Sequence, residues 1–307
     1  MATLAILDLG TNTFHLLIAE IIDGNPKILF QETLAVKLGE GGINNGHISQ
    51  AALNRGLTAL KSFKKTIEIH KAQVIRAVAT SALRTASNGI VFLDSIKKET
   101  DIRPDIITGE REAELIYYGV KAAIDMGEEC CLIMDIGGGS VEFIICNSKQ
   151  VFWKKSFDIG AARLMEQFHH SDPINEPDIQ SLFSYLDSTL HELHQELGDQ
   201  KPNILIGSAG VFETYAQLIN PYFKVEFERP EVNIKLADFK RIAKLVLEST
   251  HEQRAEIPSI IPIRVDMIVT ATLLTEYILK HHPFQQMKVS THSLKEGLLF
   301  EWIASQK

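Results

Sequence analysis

The sequence predicts an α/β protein of two duplicated domains, each a mixed sheet flanked by helices, with a cleft between them. An apolar strand that ends in Asp-x-Gly and leads into a second strand occurs twice, in "LAILDLGTNTFHLLIAE" (4–20) and "CLIMDIGGGSVEF" (131–143). Each copy is followed by a third strand and then by alternating helices and strands, an order typical of helices packed on a mixed sheet. No linker rich in Pro, Gly or Ser separates the halves, so we expect the domains to share a close cleft.

In the first half, the elements follow from apolar periodicity and from turn residues. Strands are predicted at 3–9, 13–22, 26–38, 72–80 and 104–108, and helices at 50–70, twice within 81–100 and at 110–127. Ser49 is a suitable N-cap for the helix at 50–70. The break between the two helices within 81–100 is expected at Asn88–Gly89. We expect the first domain to span residues 1–127.

The second half repeats this order of elements. Strands are predicted at 130–136, 139–147, 150–157, 203–210 and 287–291, and helices from Ala161 and at 175–198, 211–219, 236–249, 262–281 and 293–305. We expect the second domain to span residues 128–293. The closing helix, at about 294–307, is expected to pack back on the first domain.

Composition excludes several classes of protein. The chain has 307 residues, of which 45% are hydrophobic and 23% charged, and its formal net charge is −8. An acidic chain without a basic stripe does not fit a general nucleic-acid binder. No apolar run reaches about 18 residues, so we expect no membrane span. The N-terminus has neither the basic region nor the cleavage site of a signal peptide, and we therefore expect a cytoplasmic protein.

The two Asp-x-Gly turns have the composition of phosphate-binding sites. A glycine turn lets backbone N–H groups point into a cleft with no side chain in the way, and such groups bind phosphate oxygens. An aspartate at each strand end can hold hydrated Mg2+ against phosphates. The predicted phosphate-binding residues are Gly10, Thr11, Asn12 and Thr13 in the first turn and Gly137, Gly138, Gly139 and Ser140 in the second. The predicted metal ligands are Asp8 and Asp135.

This pattern resembles the actin-like ATPase superfamily, whose domains have a ribonuclease H-like fold. "ILIGSAGVFE" (204–213) lies where that superfamily has a third glycine motif, for a nucleotide. The chain resembles more closely the exopolyphosphatase/guanosine pentaphosphate phosphatase (Ppx/GppA) family. The motifs that carry this resemblance, in the order of that family, are the first turn, "VKLGEGG" (36–42), "ATSALRTASNG" (79–89), "TGEREAELIYYGV" (108–120), "MDIGGGSVEF" (134–143), "GSAG" (207–210) and "SLKEG" (293–297).

The resemblance implies roles for individual residues. Glu112 takes the place of the family's catalytic base, and Glu142 that of a glutamate which helps to bind metal or water. Arg84 resembles the arginine that contacts substrate phosphate. Lys37 stands where the family often has a phosphate-binding arginine. Carboxylates and guanidinium groups suit these roles, since they accept a proton from water and donate to phosphate oxygens, respectively.

Other charged positions in these motifs have structural interpretations. Glu110 and Glu114 are expected to lie at a helix start, where acidic side chains favour the helix dipole. Arg111 is expected to face solvent and to pair with a neighbouring acid. His15 is expected to be packed and hydrogen-bonded. Lys295 and Glu296 are expected to anchor the closing helix to the cleft.

The resemblance implies a phosphoanhydride hydrolase. It would release terminal orthophosphate from inorganic polyphosphate or from the guanosine pentaphosphate pppGpp, with Mg2+ or alternatively Mn2+ as cofactor. A homodimer is also implied. Longer members of the family carry a C-terminal domain of HD type, for which this chain has no counterpart. Two alternatives remain open from the sequence, namely an actin-like ATPase or small-molecule kinase, and a non-catalytic alarmone sensor.

Overall fold

Two mixed β-sheets flanked by helices form the scaffold of the protein. The computed structural model describes residues 2–224, 226–227 and 230–306. The first half contains strands β1 (Ala2–Leu9), β2 (Thr13–Ile22), β3 (Asn25–Ala35), β4 (Val74–Ala79) and β5 (Asp105–Ile106), and helices α1 (Gln50–Ile69), α2 (Ser81–Thr85), α3 (Gly89–Thr100) and α4 (Gly109–Ala123). The strand order is β3-β2-β1-β4-β5, with β1 antiparallel to β2 and parallel to β4.

The second half builds a sheet of the same plan. Its strands are β6 (Cys131–Ile136), β7 (Val141–Cys146), β8 (Val151–Phe157), β9 (Ile204–Ser208), β10 (Glu231–Ile234) and β11 (Gln286–Ser290). Its helices are α5 (Ala161–Phe168), α6 (Glu176–Thr189), α7 (His191–Gln200), α8 (Gly210–Ile219), α9 (Leu236–Glu248), α10 (His251–Ala255) and α11 (Met267–His281), and the last helix of the chain is α12 (Leu294–Ser305). The strand order is β10-β11-β9-β6-β7-β8.

The two strand orders reveal the duplication. If β6, β7, β8, β9 and β11 are matched to β1 to β5, both sheets read third-second-first-fourth-fifth, and β10 is an added edge strand. In each sheet the first strand pairs antiparallel with the second and parallel with the fourth. The predicted fold class of two related mixed sheets flanked by helices is therefore confirmed. The division at residues 127 and 128 stays a prediction.

Helices α4 and α12 lie between the two sheets. Both contribute to a core that also includes Leu4 and Ile6 of the first sheet and Ile133 and Ile144 of the second. The two helices cross in close backbone contact, because a Cβ added to Gly297 would lie 1.8 Å from the carbonyl oxygen of α4 residue 115. The cleft is thus built on a helix pair that touches both halves.

Most predicted elements are confirmed, with four differences. The helix predicted at 175–198 is two helices, because Leu190 leaves the helical conformation with φ −99° and ψ 17°. The helix predicted at 262–281 begins at Met267, after the turns that follow Pro258 and Pro262. The short elements β10 and α10 were not predicted. Within the described residues, no helix has the length and apolar character needed to cross a membrane.

Candidate active site

The first glycine turn connects β1 to β2, and its carbonyl groups are held away from the cleft. Gly10 N–H donates to the Thr13 carbonyl oxygen at 3.1 Å, which closes the turn. The Asn12 carbonyl oxygen accepts from the N–H groups of Val36 at 2.9 Å and Lys37 at 2.8 Å. Because the Gly10 N–H closes the turn and the Asn12 carbonyl oxygen is held by the following segment, the N–H groups of Thr11 and Asn12 are the candidate donors to the cleft.

The second glycine turn connects β6 to β7 in the same way. Gly137 N–H donates to the Ser140 carbonyl oxygen at 3.0 Å. The first turn of α5 binds the carbonyl groups of this turn. Ala161 N–H donates to the Gly137 carbonyl oxygen at 2.9 Å, and Ala162 N–H donates to the Gly138 carbonyl oxygen at 3.0 Å. The free N–H groups of the helix start are thereby satisfied by the turn itself. Because the Gly137 N–H closes this turn, the N–H groups of Gly138, Gly139 and Ser140 are the candidate donors to the cleft.

The two turns meet face to face. A Cβ added to Gly138 would lie 2.1 Å from Asn12 Nδ2, and one added to Gly139 would lie 2.5 Å from Thr11 Oγ1. Glycine is required at both positions because the turns approach so closely. Both turns line a cavity of about 360 Å³ between the halves of the molecule.

Glu112 reaches this cavity from the first turn of α4. Thr108 caps that helix, accepting from Arg111 N–H at 3.2 Å. The Glu112 carboxylate is buried, and its Oε2 accepts from Arg84 Nη1 at 2.8 Å. The same Arg84 nitrogen donates to the Ile107 carbonyl oxygen at 3.1 Å. Burial raises the pKa of Glu112 to about 7, against the opposing effect of the Arg84 guanidinium. A carboxylate with such a pKa can accept a proton near neutral pH.

Three further carboxylates face the cavity. Asp8 Oδ1 is buried without a hydrogen-bond partner, and burial, with the nearby charge of Glu112, raises the pKa of Asp8 to about 8. Asp135 Oδ2 accepts from Ser208 Oγ at 2.8 Å and from a serine hydroxyl at the start of α12 at 2.5 Å. Glu142 accepts from the Ser156 hydroxyl at 2.6 Å. Burial also raises the pKa of Asp135 and of Glu142.

Comparison with known proteins identifies the family. A model of the Ppx/GppA phosphatase family matches residues 17–306. The chain belongs to this family. Exopolyphosphatase 2 of Mycobacterium tuberculosis is 27% identical to it over 312 residues, covering 97% of this chain and 98% of that protein. Guanosine-5'-triphosphate,3'-diphosphate pyrophosphatase of Vibrio campbellii is 26% identical over 299 residues, covering 97% of this chain and 59% of that protein.

Solved structures show the same relationship. An exopolyphosphatase from Cytophaga hutchinsonii superposes with a TM-score of 0.96 at 41% identity, covering 99% of this chain and 98% of that one. The Ppx/GppA family member of Aquifex aeolicus superposes with a TM-score of 0.83 at 25% identity, covering 100% and 99%. The predicted family and the prediction of a hydrolase are confirmed.

Most of the residues that were predicted from the family motifs line one cavity. They are Asp8, Gly10, Thr11, Asn12, Thr13, Glu112, Asp135, Gly137, Gly138, Gly139, Ser140 and Glu142. Arg84, the predicted phosphate-binding arginine, does not line this cavity and instead donates to the Glu112 carboxylate. The Lys37 side chain lies outside this cavity, half exposed, with Nζ 3.9 Å from Glu40. The individual roles of these residues in this Ppx/GppA chain stay predictions.

The carboxylates fit Mg2+ that keeps water and phosphate ligands. In the parts of the chain that the structure describes, no three His, Cys, Asp or Glu side chains converge as a complete protein site for a metal ion. Mg2+ is usually bound by one or two carboxylates together with waters and substrate phosphates. The unpartnered Oδ1 of Asp8 and the all-oxygen set of the cavity match that mode of binding.

The sequence did not predict the third wall of the cavity. Arg264 and Glu213 line it, and Arg264 donates to Thr214 Oγ1 at 2.9 Å. Arg264 also covers Gly210, since a Cβ at that position would lie 1.8 Å from Arg264 Nη2. The only sign of this wall in the sequence is that Arg264 is an arginine within the apolar stretch "IPIRVDMIV". This stretch is distant in sequence from the glycine motif "GSAG" (207–210).

Two side chains with predicted structural roles also reach the cavity. His15 is hydrogen-bonded as predicted, to Thr13 and Thr33 at 2.9 Å each, and burial lowers its pKa to about 3. Lys295 pairs with Glu296 at 2.9 Å but also lines the cavity. Arg111 pairs with acids beside the cleft, as predicted, at 2.9 Å from Glu114.

Proposed function

We propose that the cavity is the active site of a phosphoanhydride hydrolase that releases terminal orthophosphate from inorganic polyphosphate or pppGpp. One observation carries the proposal, namely that the buried carboxylate of Glu112 shares a single cavity with both glycine turns. A terminal phosphate bound by the turns would lie beside a base. The names of the Mycobacterium and Vibrio relatives support these two substrate classes.

The two turns would hold the phosphate chain. Their N–H groups, facing each other across the cleft, suit the equatorial oxygens of a terminal phosphate and the charge that develops there during in-line attack. Mg2+ or Mn2+, held by one or two of the carboxylates of Asp8, Asp135 and Glu142 together with waters and phosphate oxygens, would neutralise phosphate charge. The contact of both turns with one ligand would draw the halves together and exclude bulk water.

Glu112 would orient and deprotonate the attacking water. Its hydrogen bond with Arg84 fixes the direction of the carboxylate, and its raised pKa leaves it basic enough to take a proton near pH 7. The Arg84 guanidinium stabilises the ionised form, which is the form that acts as a base. Orthophosphate would leave after cleavage of the P–O bond to the rest of the chain.

The test is orthophosphate release from short polyphosphate, long polyphosphate and pppGpp in parallel, with Mg2+. Glu112→Gln keeps the shape and the Arg84 contact but removes the base. Loss of a general base lowers kcat by about 10²–10⁴-fold. Glu110→Gln is the matched control, because Glu110 lies two residues away on the same helix turn and is exposed.

Release by wild type and by Glu110→Gln, with loss in Glu112→Gln, would support the proposal, and the preferred substrate would set its final form. A folded wild-type protein that releases orthophosphate from none of the three substrates would refute it. So would a Glu112→Gln variant that retains wild-type activity. Homodimer formation is a separate prediction, checked by sedimentation equilibrium.

A further inference from the structure

Arg163 joins the two halves of the molecule across the cleft. It lies in the first turn of α5, and its side chain is buried, with 8% of its surface exposed. Nη1 donates to the Ile43 carbonyl oxygen at 2.8 Å and Nη2 donates to Thr85 Oγ1 at 3.0 Å. Both acceptors belong to the first half, whereas Arg163 belongs to the second. A nearby contact, from Asn44 Nδ2 to Glu166 Oε2 at 2.8 Å, crosses in the opposite direction.

The same guanidinium also holds the second glycine turn. Arg163 Nε donates to the Gly139 carbonyl oxygen at 2.9 Å, and Gly160 N–H donates to the same oxygen at 3.3 Å. This carbonyl belongs to the peptide group that follows Gly139, so its orientation sets the direction of the Ser140 N–H on the other side of that peptide plane. Arg163 therefore fixes the orientation of the N–H of Ser140, a residue that lines the cavity.

On the other side of the cleft, Arg163 reaches the support of the predicted base. Thr85 is the last residue of α2 and follows Arg84, whose guanidinium binds Glu112. Thr85 Oγ1 also donates to the Ser81 carbonyl oxygen at 3.0 Å, which ties the end of the short helix to its start. A shift of Thr85 would move Arg84 and with it the Glu112 carboxylate.

The bonding pattern of Arg163 suits a contact that forms and breaks. Its four hydrogen bonds within the site, to Gly139, Ile43, Asn44 and Thr85, all go to uncharged oxygens. A guanidinium that leaves such acceptors regains water, so separation of the halves does not strand a buried charge. A pair of opposite charges in the same place would be harder to separate and would bind phosphate less readily.

We propose that Arg163 is a positioning residue that couples phosphate binding at the second turn to closure of the cleft and to placement of Glu112. The kinetic part rests on the proposed hydrolase function. In the closed molecule Arg163 holds the Gly139 peptide and the end of α2 in one arrangement, so the phosphate donors and the base adopt their working geometry together. With the halves apart, this link is lost.

The kinetic test compares Arg163→Met, Arg163→Lys and Thr85→Val. A displacement of about 1 Å between reacting groups costs about 100-fold in rate, so Arg163→Met is expected to lower kcat by about that factor, with a smaller change in KM. Lysine keeps the positive charge but lacks the planar guanidinium with its several donors, so Arg163→Lys is expected to retain little more kcat than Arg163→Met. In a double-mutant cycle, adding Thr85→Val to Arg163→Met is expected to change kcat/KM by less than about threefold.

Arg254→Lys is the control for loss of a buried arginine. Arg254 is fully buried and donates to the Val265 carbonyl oxygen at 2.7 Å and to Asp172 at 2.9 Å, both within the second half. We expect this variant to unfold at lower temperature but to keep kcat within about threefold of wild type, measured where both are folded. A purely structural role for Arg163 would give the same result as this control.

A second measurement does not depend on the substrate. Small-angle X-ray scattering of the ligand-free proteins is expected to give a larger radius of gyration for Arg163→Met than for wild type and Arg254→Lys. The proposal is overturned if Arg163→Met keeps wild-type kcat, if its effect adds to that of Thr85→Val, or if its scattering is that of wild type. If wild type hydrolyses none of the tested substrates, the function fails, and the scattering result alone decides whether Arg163 closes the cleft.

Discussion

Replacement of Asp8 by asparagine is expected to make the metal-free protein more stable at pH 8, although Asp8 is predicted to be a site residue. Burial and the charge of Glu112 raise the pKa of Asp8 from an ordinary value of 3.8 to about 8, and Oδ1 has no hydrogen-bond partner. In the unfolded chain this carboxyl ionises near its ordinary pKa. The contribution of Asp8 to stability is therefore most favourable below about pH 4 and is lost as pH rises towards 8.

The size of the effect follows from the shift. Each unit of pKa difference corresponds to about 1.4 kcal/mol, so the preference of the ionised Asp8 carboxyl for the unfolded chain destabilises the fold by up to about 5 kcal/mol at pH 8 and about 2 kcal/mol at pH 5. Asparagine has the same shape without the charge. The gain in unfolding free energy from Asp8→Asn is thus expected to grow by about 3 kcal/mol between pH 5 and pH 8.

The assay is urea unfolding followed by circular dichroism, in EDTA, at several pH values between 5 and 8. Asp199→Asn is the control, because Asp199 is exposed on α7 and its replacement should leave the pH dependence unchanged. A gain that is equal at pH 5 and pH 8, or a loss of stability at pH 8, would refute the assignment of a buried carboxyl with a raised pKa. Added Mg2+ is expected to reduce the difference by stabilising wild type.

Three other substitutions test separate parts of the site. Gly297→Ala is expected to cost about 3 kcal/mol of unfolding free energy because its Cβ would overlap an α4 carbonyl, whereas Gly198→Ala, on a helix with open space around it, is expected to stabilise by about 0.5–1 kcal/mol; urea unfolding compares them. Arg84→Gln removes a cation that lowers the Glu112 pKa, so the rise of kcat/KM with pH, expected near 7 in wild type, should move up by about 1–2 pH units, and an unmoved profile would count against Glu112 as the base. Lys37→Ala is expected to change KM by less than about twofold, because the side chain is half exposed beside Glu40, and a tenfold rise would instead support a phosphate contact.

The features that could be predicted from the sequence are local ones. An aspartate at a strand end followed by Gly10 or Gly137 defines its own turn, and duplication of the turn predicts that both copies face one cleft. Helix α4 carries its cap and its catalytic candidate within a few residues. In such cases neighbours in sequence determine the geometry, so a short pattern contains most of the information.

The features that could not be predicted depend on tertiary packing. Arg264 reaches the cavity only because α11 begins after a set of turns, so its position depends on where that helix packs. The sequence predicted that Lys295, beside Glu296, anchors the closing helix. Its position in the cavity near Asp8 depends on how α12 packs. At Leu190 the chain breaks between α6 and α7, and the apolar faces of both helices pack on the same core. The apolar periodicity within each helix does not show where this break falls.

The position of α12 has a consequence for synthesis of the protein on the ribosome. This helix is translated after every strand and helix of both sheets, yet it packs on α4 and completes the apolar layer between the sheets. At roughly 5–20 residues per second, the ribosome finishes α4 on the order of ten to thirty-five seconds before α12 follows. During that interval the apolar face of α4 that α12 covers in the folded protein lacks this partner, so this is a stage at which the nascent chain is exposed to aggregation.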